Sequence, residues 1–259
     1  MRRALPIIAA IAAAAAGTPA LASDIIWFDS DHTAYGGDQP NGAGRYFTGG
    51  GVSVRVSGWT LKSDGKIYQA QLGVWPEGLG VRTGSSDNSH TIDNSGSIDF
   101  VLLQFNKTVE LDMALLQTGW HNMNDTDATV GYATTAVPYT TVLSYNGQPL
   151  SALNFINKYD SGSYGNSGDS YRDINPSNHA GNLWLIGASF TNPDGSRKLD
   201  GFKIEKLTFN KIPPPPPTGG VPEPATWATM LIGFFGLAGA MRSSARRRAR
   251  TASADLAKA

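Results

Sequence analysis

The 259-residue sequence contains no cysteine. Disulfide bonds, cysteine nucleophiles and zinc sites built on thiolates are therefore excluded. Histidine is also rare, with four residues at positions 32, 90, 121 and 179. Without disulfides, the fold must be stabilised by a hydrophobic core or by bound ions.

Known catalytic motifs are absent as well. The sequence has no G-x-S-x-G, no H-E-x-x-H and no phosphate-binding glycine loop. Glycoside hydrolysis needs two carboxyl groups at a defined separation across a cleft, which a sequence cannot supply. We therefore expect that the protein is not an enzyme, with a glycan-active hydrolase as the minor alternative.

The net charge is zero, but the charges are unevenly distributed along the chain. Residues 23–212 contain 13 Lys/Arg and 19 Asp/Glu, whereas the residues after Met241 contain six Lys/Arg and one Asp. An acidic domain repels nucleic acids and anionic lipid surfaces. We expect no nucleic-acid partner.

The first 22 residues have the pattern of a signal peptide. A basic start at Arg2 and Arg3 precedes an apolar stretch from Leu5 to Ala16 and a small-residue cleavage site at Ala20-Leu21-Ala22. This order predicts export, removal of residues 1–22 and a mature chain that begins at Ser23.

Residues 213–259 combine a stiff spacer, an apolar run and a basic end. Residues 213–220 begin with five consecutive prolines, and the run from Ala225 to Met241 is just long enough to span a bilayer. Basic residues that follow an apolar run stay in the cytoplasm, so the preceding domain lies outside. The sequence therefore predicts one C-terminal transmembrane helix. The basic residues are Arg242, Arg246, Arg247, Arg248 and Arg250.

A short motif precedes the apolar run, and it consists of Pro222, Glu223, Pro224, Trp227 and Ala228. Together with the run and the arginines, residues 221–250 closely resemble the PEP-CTERM sorting domain in its P-E-P-x-x-W-A form. The resemblance implies processing by exosortase, a membrane-embedded cysteine transpeptidase-like enzyme of Gram-negative bacteria, and an association with exopolysaccharide or biofilm. Residues 251–259 form a short predicted cytoplasmic tail.

Apolar residues between positions 23 and 212 recur with the period of two that is typical of β-strands. Continuously apolar segments indicate strands that are covered on both faces. We predict an all-β domain, a single jelly-roll-like β-sandwich of roughly nine or ten strands with no helix before the spacer. The alternating segments are Val52–Ser57, Ile67–Leu72 and Tyr139–Tyr145, and the continuous ones are Phe100–Phe105 and Leu183–Phe190.

The last strand of this domain changes phase. Phe202 and Ile204 share one parity, whereas Leu207 and Phe209 share the other. An extra residue restores the inward direction of both pairs, so we predict a β-bulge near Glu205-Lys206.

A long loop is predicted from Lys158 to Asn182, where Gly, Ser and Asn are frequent. Its residues Tyr159, Tyr164 and Tyr171 suit stacking on sugar rings, which makes them candidate glycan ligands. A mobile, solvated insertion is the alternative.

Two aspartates alternate directly before another predicted strand. Asp125 and Asp127 precede the segment Ala128–Thr134, and carboxylates in such a turn offer the hard oxygen ligands that Ca²⁺ prefers. Asp93 and Asp99 flank a further strand start and could complete a structural calcium site. Ordinary turn hydrogen bonding is the alternative.

These features predict an exported cell-surface or matrix protein with a structural or adhesive role. The expected partners are exosortase, exopolysaccharide or another glycan, and, transiently, the inner membrane. A carbohydrate-binding module is the main alternative, and a glycan-active enzyme is the second.

Overall fold

The computed structural model describes residues 23–118, 125–155, 157–160, 170–191, 199–212, 226–239 and 241–242. Contacts between residues divide the chain into two units, Met1–Ile212 and Pro213–Ala259. The described part of the first unit is built from β-strands with one short 3-10 helix, Leu150–Leu153, so the all-β prediction is confirmed. The strands are β1 (Asp24–Trp27), β2 (Gly37–Asp38), β3 (Arg45–Gly49), β4 (Val52–Leu61), β5 (Ile67–Trp75), β6 (Gly78–Arg82), β7 (Ile92–Asp93), β8 (Ile98–Gln117), β9 (Ala128–Ala133), β10 (Asn157–Asp160), β11 (Ser170–Asp173), β12 (Gly181–Ala188) and β13 (Gly201–Lys211).

Antiparallel pairing joins these strands in the order β1-β13-β6-β5-β4-β8-β12-β9-β10. Strand β13 also pairs with β8, so β13, β6, β5, β4 and β8 form a closed circuit. The 20-residue strand β8 makes this possible. Its first half pairs with β4 and β12, and its second half pairs with β13 and β11.

The central strands are covered on both faces, as the continuous apolar segments predict. Val101 and Leu103 of β8 pack in one hydrophobic cluster, whereas Phe100 and Leu102 pack in a second cluster on the opposite face. Strand β12 divides its side chains in the same way, because successive residues of a strand point to opposite faces. Strands β8 and β12 therefore separate two hydrophobic cores.

The predicted β-bulge in β13 is confirmed. Ile204 pairs with Leu116 and Lys206 pairs with Leu115, so Glu205 is the extra residue on its strand. The bulge turns both apolar pairs of this strand inward, and all four side chains are buried: Phe202, Ile204, Leu207 and Phe209.

The predicted strand from Tyr139 to Tyr145 is wrong. The segment forms turns, and the backbone N–H of Thr141 donates to the carbonyl of Pro138 over 2.8 Å. Leu143 is buried against the second cluster while Val142 is exposed. The segment thus covers the sheet with only one of its sides. This produces the alternation of apolar and polar residues that resembles a strand.

The predicted loop from Lys158 to Asn182 is also wrong in part. Strand β10 pairs with β9 and strand β11 pairs with β8, so both flanks of the segment extend the sheet. Polar composition hides these strands because their backbone pairing needs no apolar side chains. Residues 161–169 lie outside the described residues.

In the second unit, residues 226–239 are helical. No helix within the described ranges is both long and apolar enough to cross a membrane. The transmembrane helix predicted from Ala225 to Met241 stays a prediction, and its residues 225 and 240 lie outside the described part.

Candidate functional site: a buried acidic cluster

Three aspartates meet where strands β9 and β13 begin. Asp125 and Asp127 precede β9, and Asp200 precedes β13. The backbone brings them together, because Asp125 and Asp200 form a parallel bridge and the N–H of Gly201 donates to the carbonyl of Asp125 over 2.9 Å. The N–H of Ser189, just after β12, donates to the carbonyl of Asp127 over 3.0 Å.

The three carboxylates form a tight, buried group. One carboxylate oxygen from each lies within 4.8 Å of the others, and all three residues are fully buried. Neither side-chain oxygen of Asp125 accepts a hydrogen bond from any described residue. A buried carboxylate without a donor is unfavourable unless something else compensates its charge.

Two polar residues border the cluster. The side-chain amide of Asn94 donates to Asp200 Oδ2 over 2.5 Å, and the N–H of Asp200 donates to Asn94 Oδ1 over 3.0 Å. On the other side, Nη2 of the buried Arg172 in β11 donates to the carbonyl and hydroxyl oxygens of Thr126. Within the described ranges, Arg172 therefore places a cation next to Thr126, between Asp125 and Asp127.

Asp93 and Asp99, the other two predicted calcium ligands, are not part of this cluster. The carboxylate of Asp93 turns away to accept hydrogen bonds from the hydroxyls of Thr91 and Ser89 over 2.7 and 2.9 Å. Asp99 accepts from the hydroxyl of Thr83 over 2.9 Å. The structure therefore does not bring them into the group of Asp125 and Asp127, where Asp200 lies instead.

Asp93 and Asp99 instead line a polar cavity of about 490 Å³ together with Asp87 and several serines. Burial raises the pKa of Asp93, partly opposed by its hydrogen bonds. Burial, reinforced by the negative charge of Asp93, raises the pKa of Asp99 to about 8. A carboxyl with this pKa keeps its proton at neutral pH, which makes it a poor cation ligand.

Of the three candidate tyrosines, only Tyr171 has a side chain within the described part of the chain. Tyr171 lies in β11, is half exposed, and has the ammonium of Lys206 at 5.1 Å from its ring centroid. Tyr159 lies in β10, and Tyr164 is outside the described residues. The glycan site predicted for these tyrosines stays a prediction.

The predicted sorting motif is described only at its end. Trp227 and Ala228 lie in the helix of residues 226–239, and Arg242 lies just after it. The predicted signal peptide, the predicted spacer, the other motif residues and the other arginines are outside the described residues. They are residues 1–22, 213–220, Pro222, Glu223, Pro224, Arg246, Arg247, Arg248 and Arg250.

Sequence reasoning missed Asp200, Asn94 and Arg172. Asp200 directly precedes a strand, as Asp127 does, and this is the one local feature that could have marked it. Nothing in the sequence shows that the starts of β9 and β13 are neighbours. Comparison of the chain with protein-family models, with curated proteins and with solved structures finds no match.

Proposed function

We propose that this chain is an exported surface or matrix protein with a structural or adhesive role, sorted through an exosortase-type pathway. Residues 23–212, called the β-domain below, form a jelly-roll-like sandwich in this proposal. This domain is the part that acts outside the cell. The C-terminal unit carries the sorting motif, inserts its helix into the inner membrane and is processed there.

The observation that carries this proposal is the exposure of apolar side chains on the helix of residues 226–239. Ile232, Phe234 and Phe235 are each more than 70% exposed, and Leu231 and Leu237 are exposed as well. An α-helix makes one turn every 3.6 residues, so side chains at these five positions surround its axis. A helix that is apolar all round needs an apolar environment, and a membrane supplies one. Arginines after the helix and Pro222-Glu223-Pro224 before it complete the order of a sorting segment.

Replacing Glu223 with alanine should block maturation. In this proposal Glu223 lies just outside the membrane, where a membrane-embedded peptidase can reach it. In a Gram-negative host that has an exosortase, the variant should accumulate as an unprocessed form in the inner membrane. Fractionation and immunoblotting of the membrane, periplasmic and surface fractions measure this.

Asp255→Ala is the matched control, because it removes one negative charge on the other side of the helix. The control should mature like the wild type. Normal processing and surface delivery of Glu223→Ala would contradict the sorting proposal.

We also propose glycan binding as a second candidate function, on the basis of an aromatic cleft in the first unit. The cleft has a volume of about 270 Å³. Its Trp27 and His32 rings are stacked at 4.0 Å, and Tyr46 is exposed at the rim. Flat aromatic faces beside hydroxyl groups suit sugar rings. The lining residues are Trp27, His32, Thr33, Ala34, Tyr35, Tyr46, Phe47 and Thr48.

Tyr46→Ala should weaken oligosaccharide binding by roughly three- to tenfold, because one aromatic contact is lost. A glycan array on the full chain identifies the oligosaccharide, and calorimetry measures the affinity of the variant. Tyr171→Ala is the control, since Tyr171 is similarly exposed but does not line this cleft. If no glycan binds, or if both variants bind equally weakly, the cleft is not the site.

A further inference from the structure

The carboxylate of Asp125 is buried without a hydrogen-bond donor among the described residues. The residue is fully buried, and neither of its two side-chain oxygens accepts a hydrogen bond within the described part of the chain. A carboxylate buried in this way is unfavourable unless a cation compensates its charge, because packing with an apolar residue is otherwise more favourable. Asp125 therefore points to a positively charged partner.

The charge of the cluster favours a cation as the partner. Asp125, Asp127 and Asp200 together carry three negative charges when ionised, and their oxygens lie within 4.8 Å of one another. Among the described residues, Arg172 is held against Thr126 and supplies one positive charge. Three carboxylates beside one arginine form a negative site that attracts a cation.

The donor set favours calcium over magnesium. Two oxygens that bind the same Ca²⁺ at 2.3–2.6 Å lie no more than about 5.2 Å apart, and the three carboxylate oxygens lie within 4.8 Å of one another. Mg²⁺ demands near-ideal octahedral geometry and keeps several of its waters, so a buried site formed by three carboxylates suits it less well. All three donors in the cluster are carboxylates, which are hard ligands that suit Ca²⁺ better than they suit zinc or copper.

We infer that Asp125, Asp127 and Asp200 bind one Ca²⁺ ion, which fastens the start of β9 to the start of β13. The backbone bridge between Asp125 and Asp200 sets the positions of the ligands before the ion binds. In a chain without cysteine, this ion performs the cross-linking role that a disulfide performs elsewhere. The inference is independent of the sorting pathway and of glycan binding.

The test compares the thermal unfolding of the full-length chain, purified in a mild detergent, in EDTA and in CaCl₂. A hundredfold excess of Ca²⁺ over its dissociation constant should raise Tm by about 5–10 °C, because the ion binds only the folded state. Calorimetry should show one Ca²⁺ bound per chain. MgCl₂ at the same concentration should give a much smaller shift, since Mg²⁺ demands tighter geometry and keeps its waters.

Asp125→Asn should abolish both the calcium shift and the binding heat. If that variant does not fold, Asp200→Asn makes the same test from the other strand. The matched control is Asp93→Asn, which alters a buried aspartate outside the cluster and should keep the shift. A wild-type Tm that is equal in EDTA and calcium, an equal shift with Mg²⁺, or loss of the shift in Asp93→Asn alone would each overturn the assignment.

Discussion

Asp99→Asn should stabilise the β-domain by roughly 5 kcal/mol at pH 9 and change its stability little at pH 4. Burial raises the pKa of Asp99 from 3.8 in the ordinary state to about 8 in the fold. Well below pH 4 both the folded and the unfolded chains are protonated at this carboxyl, so it does not change the stability there. Between pH 4 and 8 the unfolded chain releases the proton while the folded chain keeps it, so the stability of the wild type falls as pH rises. An asparagine cannot ionise, and it still accepts from Thr83.

Urea unfolding at a series of pH values from 4 to 9 measures this effect. The difference in unfolding free energy between the variant and the wild type should grow across the window and level off above pH 8. Asp31→Asn, at an exposed position, is the control for the loss of one charge and should retain the wild-type pH dependence. Parallel profiles for the wild type and Asp99→Asn would show that this carboxyl ionises in the folded protein.

Gly80→Ala should destabilise the β-domain by roughly 3–5 kcal/mol. A Cβ at this position in β6 would lie 1.7 Å from the backbone carbonyl oxygen of His90. The strand therefore cannot accept a side chain unless the His90 loop moves. That loop is fastened, because the His90 ring contacts Asp38 over 3.2 Å and packs against Trp75.

Gly36→Ala is the matched control for Gly80→Ala, since a Cβ there meets nothing within 4 Å. Its unfolding free energy should stay within about 0.5 kcal/mol of the wild type. Chemical denaturation of both variants measures the difference. Equal stability of the two variants would mean that the approach of the His90 carbonyl to β6 is not a constraint on the fold.

The strands themselves could be predicted because their cause is local. Val52 to Ser57 alternate, and one apolar side of a strand must face a core. The phase change at Glu205 is a local property too, so the bulge could be predicted. Sequence periodicity indicates which side of each strand is buried. It does not indicate which other strand or loop buries that side.

Strand β8 shows where this reasoning ends. Its sequence suggests a short strand from Phe100 to Phe105, because Asn106, Lys107 and Thr108 are polar. In the structure the strand continues through these three exposed residues to Gln117. They lie where β8 passes from pairing with β4 to pairing with β13, and no core covers them there. This change of partners is a property of the whole fold.

The acidic cluster, too, could be predicted only where its residues are close in the sequence. Asp125 and Asp127 are close in the sequence, and their alternation before a strand marked them. Asp200 is 75 positions beyond Asp125, and only the pairing of distant strands brings it near. The sequence marks Asp93 only as a residue that flanks a strand start. In the structure its backbone does oppose Gly201 across β7 and β13, but its side chain accepts a hydrogen bond from Thr91.

The pairing of the first strand with the last has a consequence for how the chain folds as it is made. Ser23 and Asn210 are 187 positions apart, yet their side chains are in contact, and Lys211 forms an ion pair with Asp24 over 2.9 Å. Strand β13 is the partner of β1, β6, β7 and β8. A nascent chain cannot complete its sheet until residue 211 has been synthesised, and such long-range closure is slow. The newly made chain therefore cannot close its sheet until its final strand is free to pair.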